Sequence, residues 1–189
     1  MMSSIRCFVA ADFPAEVRDD LARLQRRLKI GGADLKWVAP GSMHLTLKFL
    51  GELAPEVFEA VETALAPPLA VGGPLRLVPR ALGAFPNPQR ARVLWVGLEG
   101  DVAGLARAAL TLEARAEAAG VPREARPFQP HLTLGRSRGP TGVPGLARAL
   151  EDEEGYAGPA FTVAEVVLYE SRLRPGGPLY IPRKTIPLT

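Results

Sequence analysis

Histidine is scarce in this chain: 189 residues contain only His44 and His131. Cysteine is scarcer still, with Cys7 alone, and lysine is confined to Lys29, Lys36, Lys48 and Lys184. One cysteine excludes an internal disulfide, and one cysteine with two histidines cannot assemble a Cys/His zinc site. Cys7 sits in an apolar run and reads as a small buried hydrophobe. No apolar run approaches the roughly 20 residues of a membrane helix. Arg6 inside the N-terminal apolar stretch, and Asp12 just after it, make a poor signal peptide. These absences predict a soluble, cytoplasmic protein with no metal and no other cofactor. The apolar share of 47% is that of an ordinary globular chain able to build a core. The net charge of +3 is compatible with a phosphate-bearing partner and equally with a solvated surface.

Both histidines head the same tetrapeptide. His44-Leu45-Thr46-Leu47 recurs as His131-Leu132-Thr133-Leu134, 87 positions later. The same offset aligns Phe8-Val9-Ala10 with Trp95-Val96-Gly97, and carries the order strand–helix–strand–helix–strand from one half to the other. The first half reads as a strand over Ile5–Ala11 and a helix entered through Pro14. In that helix Val17, Leu21, Leu24 and Leu28 recur at helical spacing, and Gly31-Gly32 stops it. A strand over Met43–Leu50, a helix opening at Pro55 and halted by Pro67-Pro68, and a strand over Leu75–Leu82 follow. The second half reads as strands Arg92–Leu98, His131–Arg136 and Thr162–Glu170, with helices Asp101–Ala119 and Pro144–Glu154. A last extended segment covers 179–186, after the turn at Pro175-Gly176-Gly177-Pro178. The fold class is therefore α+β. One bilobal domain is expected over 1–189, with pseudo-symmetric halves 5–84 and 92–171, each an antiparallel sheet flanked by helices, around a central cleft.

Alternation in a strand puts His44, Thr46 and Lys48 on one face and Leu45, Leu47 and Phe49 on the other. His131 and Thr133 likewise share a face opposite Leu132 and Leu134. The leucines pack inward and the His/Thr faces meet across the cleft. Such a cleft suits a phosphodiester. One imidazole takes the nucleophile's proton while the other protonates the leaving oxygen, each contributing on the order of 10²–10⁴-fold. Thr46 and Thr133 hydroxyls can donate to the non-bridging oxygens. Arg136 is the best candidate to neutralise developing charge, although ideal alternation puts it on the leucine face, so it must reach the cleft through a twist or fray. Lys48, on the correct face, is the alternative. Arg6, Arg90, Arg92 and Arg126 read as solvated surface.

With these motifs in view, the chain resembles the two-histidine (2H) phosphoesterase superfamily, and within it the bacterial and archaeal RNA 2′,3′-cyclic phosphodiesterases, also called 2′-5′ RNA ligases. The resemblance runs from Arg6-Cys7-Phe8-Val9-Ala10 through Trp37-Val38, the first motif to Gly51, Phe85-Pro86-Asn87-Pro88, Arg92–Gly97 and Pro127–Arg136, to Leu168-Tyr169-Glu170-Ser171. It implies hydrolysis of RNA 2′,3′-cyclic phosphate ends to 2′-phosphomonoesters, with RNA, including tRNA fragments, as the partner of a monomer. His131 would be the proton acceptor and His44 the proton donor, with near symmetry leaving the reverse assignment open. Thr46, Thr133 and Arg136 would hold the phosphate. A minor reverse reaction would join RNA ends through a 2′-5′ bond. The competing readings are a 2′-5′ oligonucleotide or small cyclic-nucleotide phosphodiesterase, and a non-catalytic module that binds RNA ends. For base recognition, the Phe85–Pro88 loop and Tyr180 are candidates, and Arg172, Arg174, Arg183 and Lys184 could track an RNA backbone.

Overall fold

Residues 15–30 form helix α1 (Ala15–Ile30) because their apolar side chains recur on one face: Val17, Leu21, Leu24 and Leu28 are all buried. Asp19, Arg23, Arg26 and Arg27 face solvent, while Arg18 is half-buried and Gln25 is buried among the leucines. The computed structural model describes residues 4–30, 33, 35–139, 143 and 145–189. The helix stop expected at Gly31-Gly32 and the helix start expected at Pro144 lie outside them.

The remaining elements follow their apolar patterns. Strand β1 (Ile5–Ala11) precedes α1; β2 (Lys36–Trp37) and β3 (Leu45–Leu53) follow it. Helix α2 (Pro55–Leu65) buries Phe58, Val61 and Leu65, and Pro67-Pro68 stand just beyond its end. Next come β4 (Leu75–Phe85), β5 (Val93–Gly100), helix α3 (Val102–Ala118) and β6 (His131–Arg136). Helix α4 is a short piece, Leu146–Glu151, entered through Gly145 in the left-handed region. The single strand expected over Thr162–Glu170 is instead two: β7 (Phe161–Val163) and β8 (Glu165–Arg174). The chain changes sheets at Ala164, with β7 pairing to β4 and β8 to β1. Strand β9 (Gly177–Pro187) returns along β8 through a two-residue turn at 175–176, at the place where the Pro-Gly-Gly-Pro run predicts one.

Two antiparallel sheets result, in the orders β3-β1-β8-β9 and β2-β6-β5-β4-β7. They do not coincide with the two halves of the sequence. The first half contributes β1 and β3 to one sheet and the short β2 together with β4 to the other. The second half mirrors this, with β5 and β6 in one sheet and β8 in the other. A single apolar cluster, from Cys7 to Leu188, runs through the molecule, with α1 packed beside α4 and α2 beside α3. Strands β3 and β6 touch, so the two strands that carry the histidine motifs meet where the sheets adjoin. Among the described residues no helix is long and apolar enough to cross a membrane.

Candidate active site

Each histidine motif contains a β-bulge at the same place. Val9 pairs with Lys48 and Ala10 with Thr46, which leaves Leu47 as an extra residue. Leu94 pairs with Gly135 and Trp95 with Thr133, which leaves Leu134 as an extra residue. An extra residue advances the in-out alternation by one. Accordingly His44 and Thr46 are half-buried and Leu45 buried, then Leu47 and Lys48 are both buried and Phe49 is exposed. His131 through Arg136 repeat that series position for position.

The bulges correct two expectations of simple alternation. Lys48 does not share the face of His44 and Thr46: it turns inward, is only 4% exposed, and its Nζ donates to Glu113 of α3 at 2.7 Å. Arg136 needs no frayed strand end, because the bulge at Leu134 returns it to the face of His131 and Thr133. A Cβ on Gly135 would press against the buried Leu35, so it is Gly135 that faces the core. The charge of Arg136 acts on His44 and on His131 alike, lowering the pKa of both.

The imidazoles are held in duplicate fashion. His44 Nδ1 lies 2.9 Å from the Ser42 carbonyl, and His131 Nδ1 lies 2.7 Å from the Gln129 carbonyl. A carbonyl only accepts, so Nδ1 carries the proton in each ring, and Nε2 of the neutral ring is left with its lone pair. His44 stacks on Phe8 with centroids 4.7 Å apart and meets Tyr180 edge-on at 5.2 Å. His131 meets Phe85 edge-on at 5.1 Å, with Trp95 at 6.3 Å. Burial in these aromatic surroundings is the main cause that lowers both histidine pKa values, opposed by the backbone carbonyls.

The segment before His44 is clamped by Arg18. Arg18 donates to the Pro40 and Met43 carbonyls at 2.9 Å each and to Phe13 at 3.3 Å, with its guanidinium over the Phe13 ring. At the position 87 residues on stands Leu105. Asp12, 4.0 Å from Arg18, accepts a 2.6 Å hydrogen bond from Tyr169, whose ring stacks on Phe8.

Other expected cations are engaged elsewhere. Arg6 covers Phe49 and approaches Glu52; Arg126 is paired with Glu124. Arg172 and Arg183 share Glu170, at 2.6 and 3.0 Å. Arg92 donates to the Gly139 carbonyl at 3.3 Å, and the Arg90 N–H donates to the Asn87 side chain at 2.9 Å. Among the described residues no group of three or more His, Cys, Asp or Glu side chains could hold a metal ion. Phe8, Trp95, Arg18 and Gln25 are site neighbours that sequence reasoning passed over. The 87-residue alignment of Phe8 with Trp95, each beside its own histidine, was the available signal for the first two.

Comparison with known proteins agrees with this duplicated plan. The family model described as LigT like Phosphoesterase matches twice, over residues 12–95 and 96–180. An RNA 2′,3′-cyclic phosphodiesterase of Methanothermobacter thermautotrophicus is 34% identical, covering 93% of this chain and 95% of the relative. One from Thermus thermophilus is 36% identical, covering 93% and 86%. The solved structure of Escherichia coli LigT complexed with 3′-AMP superimposes with a TM-score of 0.76 at 28% identity, covering 98% of this chain and 99% of that one. With both halves matched by the family model and relatives aligned over nearly its whole length, this chain belongs to the LigT-like phosphoesterase family of two-histidine enzymes.

Proposed function

We propose that this protein hydrolyses RNA 2′,3′-cyclic phosphate ends to 2′-phosphomonoesters, with His44 as proton donor and His131 as proton acceptor. The observation that carries the reading is the doubled imidazole arrangement: each ring has Nδ1 tied to a carbonyl two residues earlier, leaving Nε2 for chemistry. His131 takes a proton from water as the water oxygen bonds to phosphorus. The bond from phosphorus to O3′ breaks, and His44 in its protonated form gives O3′ its proton. One proton enters the pair and one leaves, so the charge of the pair is conserved. Thr46 and Thr133 donate to the non-bridging oxygens, and Arg136 offsets the charge that builds on them. RNA is the substrate class that fits the names of the relatives. A ribose 5′-hydroxyl in the place of water would run the reaction toward a 2′-5′ bond, and the excess of water keeps that a minor activity. One chain carries both histidines, and we read the protein as a monomer acting in the cytoplasm.

The test is turnover of an oligoribonucleotide ending in a 2′,3′-cyclic phosphate, in EDTA, with the phosphate position of the product determined. Wild-type protein should give a 2′-phosphate, and His44→Ala and His131→Ala should each abolish it. A folded wild-type protein without turnover, or variants with unchanged rates, would refute the reading and leave a module that binds RNA ends.

A further inference from the structure

Gln25 is the polar side chain of α1 that is buried, at 4% exposure, in a helix whose other buried residues are aliphatic. A buried amide needs partners, and Gln25 finds two that lie far from it in sequence. Its Nε2 donates to the carbonyls of Val38 and Leu134, at 2.8 Å each. The Leu134 carbonyl also receives the Val38 N–H at 2.9 Å, so both of its lone pairs are used.

Leu134 is the extra residue of the β6 bulge. A bulge takes backbone groups out of the ladder, and a buried carbonyl left without a donor is costly. Gln25 and Val38 supply the donors at that point. Two residues further on, Arg136 emerges on the face of the histidines. If the bulge flattened, the alternation would slip by one and Arg136 would turn toward the core, with Gly135 facing the cleft.

The first motif offers an internal comparison. It has the same bulge, at Leu47, but the residue it turns outward is Phe49. The position in α3 equivalent to Gln25, 87 residues on, is Leu112, buried and apolar. The half whose bulge presents the arginine is the half whose bulge is held by an amide.

We propose that Gln25 is a positioning residue for Arg136: it holds the β6 bulge from the opposite half of the chain and so sets the phosphate-facing direction of the guanidinium. The inference rests on the reading of Arg136 as a phosphate ligand, and its test separates the two. The full chain is prepared as wild type, Gln25→Met, Arg136→Ala and the double variant. Each is measured for kcat and KM on the cyclic-phosphate oligonucleotide, and for affinity toward inorganic phosphate by titration of the histidine ring resonances.

Gln25→Met should lower kcat/KM and phosphate affinity at least about tenfold in the wild-type background, and less than about twofold where Arg136 is already absent, as coupled residues do. Equal losses in both backgrounds, or no loss in either, would overturn the proposal. If Arg136→Ala itself has no effect on either readout, it is the phosphate-ligand reading that fails. If the wild type turns over no RNA, the phosphate titration still decides the role of Gln25. Should Gln25→Met not fold, Gln25→Asn, which keeps the amide but falls short of the carbonyls, enters the same cycle. Failure of both to fold would make Gln25 a determinant of the fold rather than of Arg136, and would also overturn it.

Discussion

Trp95 occupies the space that a Cβ on Gly83 would need. The two residues face each other across β4 and β5, and a methyl group at 83 would fall inside the van der Waals envelope of the indole. Because Trp95 stands beside Phe85 and His131, this glycine governs the wall behind one of the two histidines. Gly83→Ala should destabilise by about 1–3 kcal/mol through overpacking. It should also lower kcat/KM at least tenfold, on the order of 1.4 kcal/mol at the transition state. Adding Trp95→Phe, a smaller ring, should restore much of both. Thermal unfolding read beside steady-state kinetics checks this, and unchanged kinetics in Gly83→Ala would show the wall to be irrelevant to His131.

The histidine pKa shifts fix the direction of the pH dependence. Both lie below the ordinary value of 6.5, chiefly through burial. On the proposed mechanism turnover needs one ring protonated and the other neutral, a state most populated midway between the two apparent pKa values of the pair. The optimum of kcat/KM, which reports the free enzyme, should therefore lie below pH 6.5, with activity falling as pH rises beyond it. A bound phosphodiester anion favours protonated imidazole, so the optimum of kcat should sit higher than that of kcat/KM. Arg136→Ala removes a charge that lowers both values, so its residual kcat/KM profile should move to higher pH. A kcat/KM profile that peaks above pH 6.5 would contradict the reading of the two histidines as the acid–base pair.

Lys48 and Glu113 join the strand of His44 to α3, and the same Glu113 oxygen accepts the Glu124 N–H at 2.9 Å, in the loop that leads toward His131. Glu113→Ala leaves a buried ammonium without its partner and should cost about 3–5 kcal/mol. Lys48→Met combined with Glu113→Leu, apolar side chains of similar volume, should recover most of that loss. Chemical denaturation of the two variants beside the wild type decides it: a double variant no more stable than Glu113→Ala would show that the loss does not come from an unpaired buried charge.

Arg18 should matter for His44 and much less for His131. Removing it frees the Pro40, Met43 and Phe13 carbonyls and loosens the turn that offers the Ser42 carbonyl to His44 Nδ1. Arg18→Ala is expected to lower kcat about tenfold or more, the range of general acid–base contributions being on the order of 10²–10⁴, with Arg18→Lys retaining part. Ring-proton titration should show the His44 pKa displaced further than that of His131. Equal displacement would mean that Arg18 acts on the site as a whole.

Most of the fold was legible because burial follows periodicity: α1, α2, α3, β1 and β6 stand where their apolar spacing places them. The misplacement of Lys48 and Arg136 has one physical cause, the insertion of single residues into ladders. Alternation sent Lys48 to the cleft and Arg136 to the core, and two bulges reverse both, because nothing in Leu-Thr-Leu tells which leucine pairs and which is extra. The continuous apolar run from Thr162 hid a change of sheet at Ala164, since either side of that residue reads as strand. That His44 shares a face with Thr46, and His131 with Thr133, was readable from the repeat alone. Gln25 was not, because a glutamine in a helix reads as solvent-facing until its distant carbonyl partners are known.

The crossing of β4 and β8 between sheets has a consequence for the chain as a polymer. A fragment of residues 1–91 carries β4 but no β8, and a fragment of residues 92–189 carries β8 but no β4. Each would expose a raw sheet edge beside β1 or β5, open to aggregation. Mixed, the two fragments are mutual templates, and regain of phosphodiesterase activity on co-expression would report their reunion as a split enzyme. A half-length chain alone could close its sheets only by lending a strand to a second copy and borrowing one back. The intact polypeptide is, in that sense, a domain-swapped dimer made permanent by a covalent tether.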